Sequence, residues 1–426
     1  MSYPSPLSHL IEVVESSDID ALAAAIDAVD PSEFVLSDAE VDRLRWALHL
    51  RRARVREGLT ETPLPRAELQ AQRTADASTR ALFEHIVEAN PSRSGWDVAP
   101  EVDFPGGVSP GDAAAQHEIL AKGLRTGDVL VTRSPRMSSA GVAHLGADAG
   151  QFSHTLVVDV DPDGPVHVVA AYMEFGATDE DLRSFLAENR CTRIVVLRHR
   201  DGDLAARVGR AAHRRLVEGP PIAYDDVFNS DDPSELYCSE VPRWAFGKLV
   251  NEPVTLPLHH SPSDRPARKA LQGAMGIDVP WLCSPVDYLV DPRLQIVAEW
   301  RDPSTIGLSR RQDAVIEAAM RWSDERGYVL SPGFVERATI RVGLAIRRTP
   351  VIGDLLKHTA GPDIRPQFLL GALTLQKAAT LLLTELEGEL GDRTPARGVL
   401  RDRLERIRER VPPNTSFHKW FHPKKP

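Results

Sequence analysis

Cysteine is scarce in this chain: Cys191, Cys238 and Cys283 are the three in 426 residues. Three scattered thiols make neither a disulfide framework nor a cysteine-rich zinc site. They read as reduced thiols of a cytoplasmic protein. Positive charge is also short. Fifty-one Lys and Arg face 61 Asp and Glu, for a net −10, so the basic footprint of a general nucleic-acid binder is missing. Local basic stretches such as Arg51-Arg52-Ala53-Arg54 read as solvated helix faces. No uninterrupted apolar run approaches the ~20 residues of a transmembrane helix. The best one, Val342 to Ile346, stops at Arg347-Arg348. Met1-Ser2-Tyr3-Pro4 lacks the basic and apolar segments of a signal peptide. Neither a glycine-rich dinucleotide turn nor a phosphate loop ending in Gly-Lys-Ser/Thr is present, so no cofactor is implied.

What is there is ordinary in amount and uneven in texture. Hydrophobic residues make up 42% and charged residues 26%, enough for two or three domains with a sizeable core. Residues 1–118 read as a helical N-terminal region. Leu7, Leu10, Ile11 and Val14 share one face, Ile19 to Val29 is a second amphipathic stretch, and Ser37 with Glu40 makes a capping box. Residues 119–303 mix strands and helices. Gly127 to Thr132, Ser153 to Val160, Val166 to Met173 and Arg193 to Leu197 read as strands, the middle two as a hairpin. Asp179 to Glu188 and Leu204 to Val217 read as helices. Residues 304–426 turn helical again, with Gln312 to Arg326, Phe334 to Ile346 and Leu369 to Leu390 the clearest. The class is α+β.

Chemistry concentrates at Cys238, in Tyr237-Cys238-Ser239-Glu240-Val241 after a turn-rich run. A thiol entering a helix faces unpaired N–H groups and the positive end of the dipole, which favour thiolate. His154 stands at the mouth of a β-branched strand. A thiol and an imidazole from different elements are the minimum for nucleophilic acyl chemistry. The imidazole needs an orienting acceptor, and Glu174, read on the neighbouring strand, supplies one. Other histidines compete. His144 and His259-His260 read as surface residues. His418 and His422 have a chelating i,i+4 spacing but no third ligand, so no metal is expected.

These motifs occur in one order: Gly127-Asp128-Val129, Phe152-Ser153-His154, Glu174-Phe175-Gly176, Tyr224-Asp225 with Phe228, and Tyr237 to Val241. The pattern resembles the circularly permuted, papain-like cysteine hydrolases of the YiiX/YebB-like group, relatives of the NlpC-type peptidases and lecithin–retinol acyltransferases. The resemblance covers residues 119–303, including Ser284-Pro285-Val286-Asp287. It implies a permuted NlpC-like core, a small antiparallel barrel-like sheet packed on a cysteine-bearing helix, flanked by the two helical regions. It implies Cys238 as nucleophile, His154 as base and Glu174 as the orienting group, with Tyr224 and Ser239 in the oxyanion and substrate-binding region. Pro242 departs from the pattern: it removes the N–H that would bond the Cys238 carbonyl, so the helix is kinked or begins later.

The expected activity is that of a thiol peptidase or amidase working through a thioester acyl-enzyme on an intracellular peptide or protein conjugate. The alternatives are acyl transfer or thioester hydrolysis on an acyl lipid, and an inactive scaffold whose helical flanks dock a protein partner. In a further alternative one flank caps the cleft.

Overall fold

β-branched runs bounded by turns form strands here where the sequence indicates them. The computed structural model describes residues 12–14, 37–89, 96–99, 102–105, 113–146, 150–162, 164–251, 253–333, 364–391 and 394–424. The stretches read as helices at Leu7 to Val14 (apart from its last three residues), Ile19 to Val29 and Phe334 to Ile346 lie outside them. Seven strands make one sheet: β1 (Trp96–Val98), β2 (Val129–Arg133), β3 (His154–Val160), β4 (Val166–Tyr172), β5 (Gly176–Asp181), β6 (Arg193–His199) and β7 (Leu294–Arg301). Their order is β1-β7-β6-β2-β3-β4-β5, with every neighbouring pair antiparallel.

The expected barrel is overturned. No ladder joins β1 to β5, so the sheet stays open, and closure is what defines a barrel. The physical reason is visible in the side-chain alternation. Val129 and Val131 of β2 enter one buried cluster, while Leu130 between them enters another. Both faces of the sheet are therefore covered, and it forms a central layer rather than a wall around one interior. The first face receives α5 (Gly202–Glu218) and α6 (Val241–Lys248), through Leu204, Val208, Val241 and Phe246 among others. The second receives Ala113–Gly123 and α4 (Leu182–Asn189), which buries Leu182, Phe185 and Leu186. Asp181 caps α4, accepting from the N–H groups of Arg183 and Ser184, so Asp179 belongs to β5 and not to that helix.

The flanks are α1 (Asp38–Glu57), α2 (Arg66–Ala89), α7 (Ile306–Arg326), α8 (Pro366–Leu390) and α9 (Arg397–Arg410); α3 (Met137–Gly146) lies within the core. The Ser37–Glu40 capping box opens α1. Buried charge fastens the flanks to the sheet. Arg52 of α1 and Arg80 of α2 meet Glu299 of β7 at 3.1 and 3.2 Å. Arg193 of β6 meets Glu84 of α2 and Asp313 of α7. The reading of Arg51 and Arg52 as solvated is thus corrected: they are 5% and 8% exposed.

Helix α8 is, among the described residues, the one helix long and apolar enough to cross a membrane by length and composition. Threonines and Lys377 interrupt its apolar run, which is why run length alone passed over it. In this fold Phe368, Leu375 and Leu386 on α8 are buried in the first core cluster.

Candidate functional site

The cysteine turn shows how the chain accommodates Pro242. Cys238–Glu240 is a single 3-10 turn, and α6 begins after it at Val241, with Pro242 in the first helical turn. Proline is at home there, because that N–H has no helical partner in any case. The carbonyl of Cys238 takes its hydrogen bond from the Thr155 hydroxyl instead, at 2.8 Å. The next carbonyl, Ser239, accepts from the Tyr288 hydroxyl at 2.8 Å, and that hydroxyl accepts the Arg243 N–H at 3.2 Å. Tyr288 is fully buried and acts as a relay within the turn. The helix thus starts later than a direct helix entry at Cys238 requires, and the dipole contribution to the thiol is correspondingly smaller.

The other motif residues are set by local geometry as firm as this. Gly127 has φ +89°, and a Cβ there would lie 2.0 Å from the Ala205 carbonyl oxygen, so the turn before β2 requires glycine. Gly176 has φ +80°, with its virtual Cβ 2.2 Å from the Ile222 oxygen. The turn Met173-Glu174-Phe175 between β4 and β5 depends on it, and Ala177 N–H then bonds Ile222 O at 2.9 Å. That contact ties the Glu174 turn to the loop carrying Tyr224. In that loop the Asp225 carboxylate accepts from the N–H groups of Val227, Phe228 and Asn229, holding Phe228 at φ +62°. Glu174 therefore lies in a turn and not, as expected, on a strand.

Cys238, His154, Glu174 and Tyr224 all open onto one cleft of about 350 Å³. Cys238 is buried; its sulfur donates to Ser153 O at 3.4 Å and lies 3.9 Å from Ser239 Oγ, with Tyr224 lining the cleft beside it. Burial pushes the thiol above its ordinary value, and the hydroxyls of Ser239 and Tyr224 oppose that. Burial alone pulls His154 down to about 4. Its Nε2 is buried without a hydrogen-bond partner. Burial also raises Glu174.

His154 and Cys238 line the same cleft, but no hydrogen bond joins them. Thr155 bonds the cysteine turn, so the Thr155 face of β3 is the cysteine face. His154, one residue earlier, leaves the strand on the other side. Its ring stacks on Phe185 at 6.3 Å and lies 5.1 Å from Tyr172, both part of the second core cluster. The thiol's hydrogen bond in this arrangement goes to the Ser153 carbonyl.

The cleft has walls that the motif reading missed. Helix α8, from the C-terminal flank, lines it with Phe368, Leu369, Leu373 and Leu375, and Met137 of α3 and Met275 join them. Leu373 is 49% exposed and Phe175, beside Glu174, 58% exposed. The available signal was the apolar stripe of the Leu369–Leu390 region, which nothing local connects to a cysteine more than a hundred positions away. Of the histidines read as surface groups, His144 and His259 are buried and His260 is half-buried. His144 is buried at 4% exposure beside Asp313, and His259 is buried at 5%. His418 and His422 do not share a helix: one lies in a 3-10 turn bonded to Arg408 O, the other in a short strand. A different group, His167, Asp179 and His213, brings three ligand-type side chains together away from the cleft.

No protein-family model, curated protein or solved structure matches the chain.

Proposed function

We propose that the chain is a thiol hydrolase or acyltransferase in which Cys238 attacks an ester, thioester or amide carbonyl whose acyl part is apolar. One observation carries this reading: four polar residues distant in sequence, Cys238, His154, Glu174 and Tyr224, share a cleft walled by Met, Leu and Phe side chains. A pocket mostly apolar with a few convergent polar groups is the usual form of a small-molecule site. The apolar wall favours an acyl chain over a polar peptide. All three cysteines are unpaired, and we place the reaction in the cytoplasm on that ground.

In the proposed step the Cys238 proton passes to His154 Nε2, directly or through one water, as sulfur bonds the carbonyl carbon. The imidazole returns the proton to the departing alcohol, thiol or amine. Water or an acceptor then releases the acyl group from sulfur. Tyr224 O–H and the Cys238 N–H stabilise the developing oxyanion. An imidazole at about 4 is a weak base for a thiol held above its ordinary value. Proton transfer is therefore uphill in the free protein, and substrate must bring the two groups together. Glu174 lines the same cleft and in this reading orients the imidazole once that movement has occurred.

A second reading has its own observation. His154 Nε2 is buried without a hydrogen-bond partner although it lines the same cleft as Cys238, which suits a pocket that binds an apolar ligand without turnover. Acyl thioesters of increasing chain length separate the two. The enzymatic reading expects a thioester-linked adduct on Cys238, detected by mass spectrometry, and hydrolysis that is lost in Cys238→Ala. Ligand binding with no adduct at any chain length would leave only the second reading standing. Hydrolysis of polar peptides in preference to acyl thioesters would return the peptidase expectation.

A further inference from the structure

Three side chains outside the cleft converge without a role in the reaction above. His167 is on β4 and Asp179 on β5, where Val169 pairs with Asp179 and His167 with Asp181. His167 and Asp179 are thus diagonal neighbours on one face of the hairpin. His213 reaches the same point from α5, which packs across that face. His167 Nδ1 lies 3.0 Å from one Asp179 oxygen, and His213 Nδ1 lies 2.8 Å from the other. The two imidazole rings are 4.4 Å apart. All ligand atoms fall within 4.8 Å of one another.

We propose that His167, Asp179 and His213 form a site for a first-row divalent metal ion, with zinc the best fit. Two imidazole nitrogens and a carboxylate are a donor set that zinc takes with one position left for water. Bonds of 2.0–2.1 Å to a tetrahedral ion separate the ligand atoms by ~3.3 Å; the two His–Asp spacings are a few tenths of an ångström from that, and the two imidazole nitrogens lie within 4.8 Å of each other. Each carboxylate oxygen faces a different ring nitrogen, which also suits bidentate binding. The three side chains are 17–25% exposed, so an ion and its water can reach them. Binding requires both Nδ1 atoms to be unprotonated, with Nε2 carrying the proton, so affinity falls as pH drops.

The site is five residues along β4 from Tyr172, about 17 Å from the cleft at ~3.3 Å per residue. It is therefore a structural clamp and lies outside the reacting groups. It pins α5 to the free-edge strand β5, whose other end carries the Glu174 turn. The proposal does not rest on the proposed reaction. The alternative is a metal-free triad in which both imidazoles donate Nδ1–H to Asp179.

The test uses the full chain, stripped with a chelator, given zinc chloride and passed through a desalting column. About one zinc per chain should be retained, by elemental mass spectrometry, and cobalt should give visible ligand-field bands. The chain has 14 histidines, so His167→Gln and His213→Gln are needed: each should lower retention to near zero, while Cys238→Ala keeps it. Zinc, and not magnesium, should raise the melting temperature of the stripped wild type, a readout independent of whether the variants fold. No retained zinc in the wild type, or equal retention in His167→Gln/His213→Gln, would overturn the site.

Discussion

Buried titratable groups are driven toward opposite charge states in two polar regions of this molecule. In the cleft burial favours the neutral forms: His154 falls to about 4, and Cys238 and Glu174 rise. Beside it, burial and the nearby Asp225 push Glu240 up to about 8. In the seam between α1, α2, α7 and the sheet, burial alone would also raise Glu299 and Asp313. Arg52, Arg80 and Arg301 around Glu299, and Arg193 and Arg133 around Asp313, outweigh it and hold both carboxyls well below their usual range. The difference is the counter-ion. Desolvation without a partner removes charge; desolvation with several arginines fixes it. The seam is built to hold elements together, whereas the cleft leaves His154, Cys238 and Glu174 without a paired counter-ion among the described residues.

Breaking the seam should therefore cost the most. Arg193→Met leaves Glu84 and Asp313 short of a counter-charge and should lower unfolding free energy by about 3–5 kcal/mol in urea. Removing the partner as well, in Arg193→Met/Glu84→Met, should recover part of that loss. Cys238→Ala should do the reverse of Arg193→Met: little change in stability and complete loss of acyl-enzyme formation. If both substitutions cost the same stability, the division between the two regions fails.

The hydrogen bonds around Pro242 lie between these extremes. Tyr288→Phe leaves the Ser239 carbonyl with only the weaker Cys283 thiol donor at 3.3 Å and should destabilise by about 1 kcal/mol. It should also alter the rate at which an electrophilic probe labels Cys238, because the turn carrying the thiol loses its relay. An unchanged labelling rate in a folded Tyr288→Phe protein would mean that the turn is held without it.

The pH dependence of stability tests the cleft side of the comparison directly. Glu240 titrates near 8 in the folded protein and near 4.3 when unfolded. The folded state binds the extra proton between those values, so stability falls as pH rises through that window. His154 has the opposite sign. Its folded value of about 4 lies below its unfolded value near 6.5, so its contribution rises with pH between the two. Denaturation midpoints across pH 4–8 should flatten on the alkaline side in Glu240→Gln and on the acid side in His154→Asn. The seam carboxylates, with depressed values, contribute stability that is lost only as pH falls below the ordinary carboxylate range. A Glu240→Gln profile parallel to wild type would show that this carboxyl is ionised and not neutral.

Legibility in the sequence follows the range of the interaction. The β3–β4 hairpin was readable because Leu156-Val157-Val158 and Val166 to Ala171 carry their own strand preference around a turn. The Ser37–Glu40 cap was readable for the same reason. Arg52 was read as solvated because its partner, Glu299, is distant in sequence and helix charge patterns look alike whether or not a carboxylate waits across the core. The open sheet depends on whether edge strands β1 and β5 meet, which no local pattern encodes. In the cleft, Cys238, His154, Glu174 and Tyr224 were singled out by motif. The face of β3 used by His154 followed from alternation, but the face used by the cysteine turn needed the Thr155 contact.

The smallest expected effect is the most direct control on the counter-ion explanation. Arg66 and Asp264 form a two-pronged ion pair, with side chains 66% and 47% exposed. The chemistry matches Arg193 with Glu84, but Arg193 is buried and reaches Asp313 as well. In water both charges are solvated before and after the contact, and salt screens what attraction remains. Arg66→Met should therefore leave the urea midpoint unresolved from wild type at moderate salt, although it removes the same guanidinium as Arg193→Met. A loss at Arg66 comparable with that at Arg193 would show that the number of ion pairs, rather than their removal from solvent, sets the strength of the seam.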